Sequence, residues 1–222
     1  MTDDDSRVLP EAIVRAVRTD ILAQRLPAGA AVTEAVLAGR FGVARPTARL
    51  AIERLVTEGL LAREAHRSAR VPRLTPDDVA DLFDTRAVLE AAAVARLARD
   101  GAVPPEAVAA HRSVLDAAAA DAPAGDADLA FHRALVAGQR GPRLTRLHGL
   151  LLGEIELGIA QVQAERLLAP REIAREHQAI LDAIVASDPR AAEAAARSHV
   201  LHARELLLVH LETPAETEGT PW

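Results

Sequence analysis

The chain has no cysteine, no tyrosine and no lysine, and only three phenylalanines and one tryptophan in 222 residues. Without cysteine there are no disulfides, no thiolate nucleophile and no Cys-ligated zinc or iron–sulfur centre. With aromatics at 2%, the core must be built from Leu, Val, Ile and Ala, which suits close helix packing better than a β-sandwich. No apolar run is long enough to span a bilayer, and the opening MTDDDSR is acidic rather than a signal segment. The expectation is a cytoplasmic chain with no membrane partner.

The chain also lacks a net positive charge, standing at −6. An even spread would argue against nucleic acid. Residues 1–75, however, hold twelve Arg against nine Asp and Glu, a balance of +3, whereas residues 76–222 stand at −9. A basic first part on an acidic second part is the asymmetry expected when only the first part faces phosphate.

Residues 9–24 place Ile13, Val17 and Ile21 on one helical face, ending before the turn Leu26-Pro27-Ala28-Gly29. Val32–Leu61 then reads as two short helices around a turn at Phe41-Gly42-Val43, the layout of a helix-turn-helix. Thr33 is a candidate N-cap, Pro46 sits in the first turn of the second helix, and Gly59 stops it. Val36 and Leu37 are expected to pack against Ala48, Ile52, Leu55 and Val56. That packing leaves Arg45 and Arg49 one turn apart on the outer face, flanked by Arg54. Guanidinium groups so placed suit a major groove; the plainer reading is an amphipathic helix pair with a solvated arginine face. Leu60–Ala65 and Ala69–Arg73 read as two strands joined by His66-Arg67-Ser68, a wing whose Arg63, Arg67, Arg70 and Arg73 suit flanking phosphates or a minor groove.

From Thr75 the chain becomes a run of helices. Thr75-Pro76-Asp77-Asp78 supplies a capping threonine, proline at the first helical position and carboxylates at the positive end of the dipole. Pro and Gly clusters then divide the rest into further helices over about 105–120, 126–137, 143–168, 170–187 and 189–211, with TPAETEGTPW as a disordered tail. The fold expected is mainly α: an N-terminal winged helix-turn-helix (8–74), an all-α bundle of about six helices (75–212) and a tail (213–222).

Ionisable groups on apolar helix faces need an explanation. Asp128 and His132 lie four apart on one helix; His177 falls among Ile173, Ile180, Leu181 and Ile184; His199 falls near Ala195, Ala196, Val200 and Leu206. One carboxylate and three imidazoles from three helices can converge on one ion, although a lone helical histidine is usually hydrogen-bonded or solvated. His111, His148, His202 and His210 take that ordinary reading. Arg86 lies between Phe83 and Leu89 with Glu90 one turn on. It is either half of an intrahelical ion pair or a guanidinium that fixes a ligand carboxylate.

The stretch LAGRFGVARPTARLAIERLVTEGLL resembles the winged helix-turn-helix of GntR-type transcriptional regulators. DTRAVLEAAAVARLA, DLAFHRAL, EHQAILDAI and HVLHAR resemble, in order, that family's FadR-type (FCD) ligand-binding domain. The resemblance implies that Arg45 and Arg49 contact double-stranded operator DNA, with Arg40 on phosphate. Thr47, Arg54, Arg67 and Arg70 complete the candidate DNA-contacting set. It implies that Asp128, His132, His177 and His199 bind a divalent cation such as Zn²⁺, Ni²⁺ or Mn²⁺, and that Arg86 faces a pocket for a small organic acid. It also implies a homodimer acting as a ligand-responsive repressor.

Departures concentrate in the reader. Ala44 replaces a capping serine, a loss of ~1 kcal/mol. Pro46-Thr47-Ala48 moves the usual proline by one place, Leu50 replaces a glutamate, and Ser68 stands at a usual wing glycine. In the bundle, Gly141-Pro142 stands where Asn-Pro is usual. Two other readings remain at this point. An Asp/His₃ site leaves open positions that suit a metal-dependent hydrolase, though no general base with a motif behind it and no H-E-x-x-H accompanies it. Alternatively, the metal is purely structural.

Overall fold

The computed structural model describes residues 5–65, 67–161 and 169–212. Among the described residues there are nine helices and one two-stranded sheet: α1 (Asp5–Leu22), β1 (Ala31–Val32), α2 (Glu34–Phe41), α3 (Arg45–Thr57), β2 (Ala69–Arg70), α4 (Pro76–Asp100), α5 (Pro105–Ala120), α6 (Gly125–Gly138), α7 (Pro142–Gln161), α8 (Pro170–Val185) and α9 (Pro189–Glu212).

The first three helices pack around Ile13, Val17, Ile21, Leu37, Ile52 and Leu55. The local signals explain their ends. Thr33 caps α2 by accepting from the Val36 amide, and Gly42 ends it in the left-handed region at φ 64°, which turns the chain into α3. Ala44, at the N-cap of α3, has extended backbone and makes no side-chain cap, so the helix starts on Pro46 alone. Val36 does not join the core as expected: it is 62% exposed. Leu37 and Phe41, four apart, carry the buried face of this short helix, and Val36 is turned about 100° away from it.

The wing is smaller than its sequence suggests. Only Ala69–Arg70 forms a strand, and its antiparallel partner is Ala31–Val32, before α2. Leu60–Ala65 contributes a single bridge, Ala62 to Arg70. The reason lies in Leu60 and Leu61, whose amides both bond the Leu55 carbonyl and whose side chains sink into the core. They finish α3 rather than extend a hairpin. His66, at the expected hairpin tip, lies outside the described residues, as do 162–168 of the expected long helix and the tail at 213–222.

The remaining six helices form the bundle. Thr75 and Asp78 make a reciprocal capping box at the start of α4, which touches α6, α7, α8 and α9. Its inward face is largely alanine (Ala87, Ala91, Ala93, Ala95 and Ala98), so neighbouring helices approach closely. The bundle core continues through Phe131, Leu135, Ile180, Ile184, Ile155 and Val200.

Reader and bundle meet along α7. Leu157 is buried within the first core, a contribution of about 1.5–3 kcal/mol. Gly153 lies so close to the end of α3 that a Cβ there would stand 1.6 Å from the Glu58 carbonyl oxygen. Arg18 of α1 pairs with Glu156 of α7 at 2.5 Å and with Glu58 at 3.0 Å.

Candidate functional site

On the reader, Arg45 and Arg49 lie exposed on α3 with Leu50 beside them. Arg49 faces Glu34 through Nε at 2.8 Å and Nη2 at 3.2 Å. That hydrogen bond, against a small opposing burial effect, holds Glu34 below its ordinary value, helped by the charges of Arg49, Arg63 and Arg45. Arg45 and Arg63 thus lie close enough to Glu34 for their charges to act on it. Thr47 is half-buried. Arg40 sits 2.6 Å from Asp20 and over the Phe41 ring. Arg67 pairs with Glu64 at 2.9 Å, and Arg70 donates to the Gly29 carbonyl at 2.8 Å. Arg54 has two carboxylate partners. It is held through Nε by Glu58 at 3.0 Å and through Nη1 by Glu11 at 3.1 Å, tying α3 to α1.

Within the bundle, α6, α8 and α9 bring Asp128, His132, His177 and His199 together, with their candidate ligand atoms all within 4.8 Å of one another. Asp128 Oδ1 lies 3.0 Å from His177 Nε2, 3.4 Å from His199 Nε2 and 3.5 Å from His132 Nε2. His132 Nε2 and His199 Nε2 are 2.9 Å apart. Ligands standing about 2.1 Å from one centre are separated by roughly 3.0 Å at adjacent octahedral positions and roughly 3.4 Å at tetrahedral ones. These four separations fall at or near those edges.

The surrounding carboxylates strengthen the fit. His132 Nδ1 lies 2.5 Å from Glu90 Oε2, and His199 Nδ1 lies 2.7 Å from Glu176 Oε2. The Glu176 hydrogen bond keeps the proton on His199 Nδ1, which leaves the His199 Nε2 lone pair facing His132 Nε2; with Glu90 drawing the His132 proton to Nδ1 in the same way, two lone pairs meet. Such an arrangement calls for a cation between them or a second proton on one ring. Beside the three histidines, Asp128 and Glu90 stand against one permanent cation, Arg86, while the partly exposed Glu176 also faces Arg175 and His202.

The titration behaviour follows. Burial works to raise the Asp128 carboxyl, but His132, His177 and His199 outweigh it and hold it well below the usual range. Burial pushes His177 down to about 3 against the pull of Asp128. Burial also disfavours charge on His199, yet Asp128 and Glu176 raise it to about 9. The site thus keeps one positive charge next to Asp128 even when only protons compete for it.

Arg86 is 1% exposed and donates through Nε to Glu90 Oε1 at 2.7 Å, while its Nη2 is buried with no hydrogen-bond partner. An unpaired buried guanidinium nitrogen costs free energy, about 1–3 kcal/mol, unless a ligand oxygen meets it. Nε thus makes the intrahelical pair expected from the spacing to Glu90, while Nη2 is left without a protein partner.

Sequence reasoning missed three members of this network. Glu90 is shared by Arg86, His132 and His148 Nε2, the last at 3.0 Å. Glu176 orients His199. His148, read as an ordinary histidine, is indeed hydrogen-bonded, but to the carboxylate that serves the site. The partners come from separate helices, so no spacing in the chain links them; only the intrahelical Arg86–Glu90 pair was legible. His111 bonds Gln178 at 3.1 Å and His210 is exposed. A second group, Glu172, Glu176 and His202, is close enough to hold an ion, but its carboxylates already face Arg175 at 3.3 and 3.7 Å and its histidine donates to Glu176.

Comparison with known proteins agrees with both halves. Residues 9–71 match the family of bacterial regulatory proteins called gntR, and residues 81–202 match the FCD domain. The chain is 30% identical over 187 residues, 82% of its length and 80% of the relative's, to a Paenarthrobacter nicotinovorans protein named as a D-xylose utilization operon transcriptional repressor. It is 29% identical over 204 residues, 87% of its length and 83% of the relative's, to an uncharacterized HTH-type transcriptional regulator of Paraburkholderia xenovorans (strain LB400). In fold it is similar to a regulator described as GntR from Rhodococcus sp. RHA1, with a TM-score of 0.74, 24% identity, and 90% and 97% of the two chains covered. It is also similar to E. coli McbR/YncC, with a TM-score of 0.69, 19% identity, and 90% and 96% covered.

Proposed function

The chain belongs to the GntR family of bacterial regulatory proteins, with an FCD domain behind its DNA-reading part, and from that membership we propose how it works. It is a DNA-binding transcriptional regulator. In our reading it is a cytoplasmic, homodimeric repressor whose operator affinity is set by a small organic acid bound beside a divalent metal. Residues 8–74 form the DNA-binding unit and 75–212 the sensing and dimerising unit. Arg45, Thr47 and Arg49 face the major groove, Arg40 meets phosphate, and Arg67 and Arg70 meet the flanking backbone or minor groove. Two-fold symmetry makes the operator a pseudo-palindrome. Val88, Leu147 and Leu150, exposed on the packed pair α4 and α7, support a second copy there.

The observation that carries the sensing half is the buried, unpartnered Nη2 of Arg86 beside four converging metal-type ligands. Asp128, His132, His177 and His199 would hold Zn²⁺, Ni²⁺ or Mn²⁺. The metal would supply a Lewis-acid centre for one carboxylate oxygen. Arg86 would take another oxygen through Nη2 while Glu90 fixes its plane, and Glu90 and Glu176 hold His132 and His199 in the tautomer that presents Nε2. The acid changes DNA affinity only by binding one arrangement of the protein better than another.

A thermal-shift screen of di- and hydroxycarboxylates with and without chelator tests this. An acid should raise the melting temperature of metal-loaded protein and lose that effect in chelator. Acid binding unaffected by chelator, alongside a chelator-induced loss of stability, would reduce the metal to a structural part.

A further inference from the structure

His148 stands outside the four-ligand set, yet it is buried and donates from α7 to the oxygen of Glu90 that also receives Arg86. One face of the rest of α7 meets the reader, while Leu151, Ile155 and Ile159 stay in the bundle core. Five residues on, Gly153 touches the Glu58 backbone with no room for a methyl group; Glu154 covers Gly59; Leu157 is part of the reader's own core. Glu58 and Gly59 form the end of α3, the helix that bears Arg45 and Arg49. One continuous helix thus has its first half hydrogen-bonded to the acid site and its second half seated on the end of the recognition helix.

We propose that His148 is a positioning residue that passes the state of the Glu90–Arg86 pair to the recognition helix through α7. The inference rests on the sensing role proposed above and assigns its route. Glu90 Oε1 divides itself between Arg86 Nε at 2.7 Å and His148 Nε2 at 3.0 Å. A metal drawing on His132, or an anion drawing on Arg86, changes how that carboxylate is shared and so where His148 sits. A close-packed helix does not absorb such a shift by compression. With Gly153 against Glu58 and Leu157 in the same core cluster as Val17, Ile52 and Leu55, the displacement arrives at the end of α3.

The test follows hydrogen exchange at residues 54–61 of the full chain, with nickel chloride as the probe and bound metal measured by elemental analysis. In the unmodified chain, bound nickel should change exchange there by about threefold or more. His148→Leu should bind the same amount of nickel and lose the response, whereas His148→Gln, whose amide still donates to Glu90, should keep it. If His148→Leu does not fold, Leu157→Ala at the other end of the route should likewise bind nickel without the response. An equal response in these variants, or no response in the unmodified chain with nickel bound, overturns the route. If the unmodified chain binds no nickel, the metal reading fails by itself. The route is then decided without ligand: His148→Leu should raise exchange at 54–61 about threefold while leaving 105–120 unchanged, and the absence of that rise overturns it.

Discussion

Replacing Arg86 with methionine keeps the length of the side chain and removes the guanidinium. Two effects should separate. The first is on stability. Arg86 and Glu90 are both almost fully buried, and deleting one partner of a buried ion pair costs about 3–5 kcal/mol. Glu90 retains His132 and His148, so the loss should fall at the lower end, about 3 kcal/mol. Burial then has less opposition, and the Glu90 carboxyl should move upward from its present position well below the usual range. The second effect is on binding. A charge-assisted hydrogen bond from Nη2 to a ligand oxygen contributes about 1.5–3 kcal/mol, so acid affinity should fall roughly 10- to 150-fold. Bound metal should stay unchanged, because Arg86 is not a ligand. Arg86→Lys should recover part of the stability but little of the affinity, since an ammonium lacks the planar fork that engages Glu90 and a ligand together. Calorimetric titration with the acid that gives the largest metal-dependent thermal shift, with elemental analysis alongside, measures both effects. An Arg86→Met protein that binds this acid as tightly as the unmodified chain refutes the reasoning and leaves Arg86 a structural pair.

Arg49→Ala should weaken operator binding by about 1–3 kcal/mol in fluorescence anisotropy, toward the low end because Arg49 must first share itself with Glu34; unchanged affinity removes it from the reader. Ala44→Ser should raise stability by about 1 kcal/mol in urea unfolding, because the position already has the extended backbone of an N-cap (φ −67°, ψ 149°) and lacks only the acceptor; no gain means the cap is not formed. Asp20→Asn should cost about 1 kcal/mol near pH 7, a figure kept small because Arg25 and Arg40 are half exposed. Burial of Asp20 is outweighed by those two arginines, so its folded-state value lies below its unfolded one. Its stabilisation is therefore present above the ordinary carboxylate range and disappears as pH falls through the folded-state value, and the difference between the two proteins should vanish there; a difference that persists in acid contradicts the assignment.

Elements with strong local signals were legible in the chain. Thr75-Pro76-Asp77-Asp78 encodes the start of α4 in four adjacent residues, and Gly42 with Arg45-Pro46 encodes the turn between α2 and α3. The wing was not, because its strands have two residues each, too few for an alternating pattern, and Leu60–Leu61 serve the end of α3 instead. At the sensing site the four-residue spacing of Asp128 and His132 could be read directly. The remaining parts depend on distant residues: His148 finds Glu90 across 58 positions and His199 finds Glu176 across 23. That Arg86 has one nitrogen paired and another buried without a partner is a fact of three-dimensional packing, to which its spacing from Glu90 gives no clue.

The central claim is that occupancy of the bundle site governs operator affinity. Its most direct measurement is fluorescence anisotropy on a duplex selected from random sequence by the protein itself. The titration compares chelated protein, metal-loaded protein, and metal-loaded protein with the acid found by thermal shift. The account predicts that the acid weakens operator binding about tenfold or more in metal-loaded protein only, within the range of ordinary allosteric coupling, and that Asp128→Ala is unresponsive. Superimposable curves in all three conditions would contradict it.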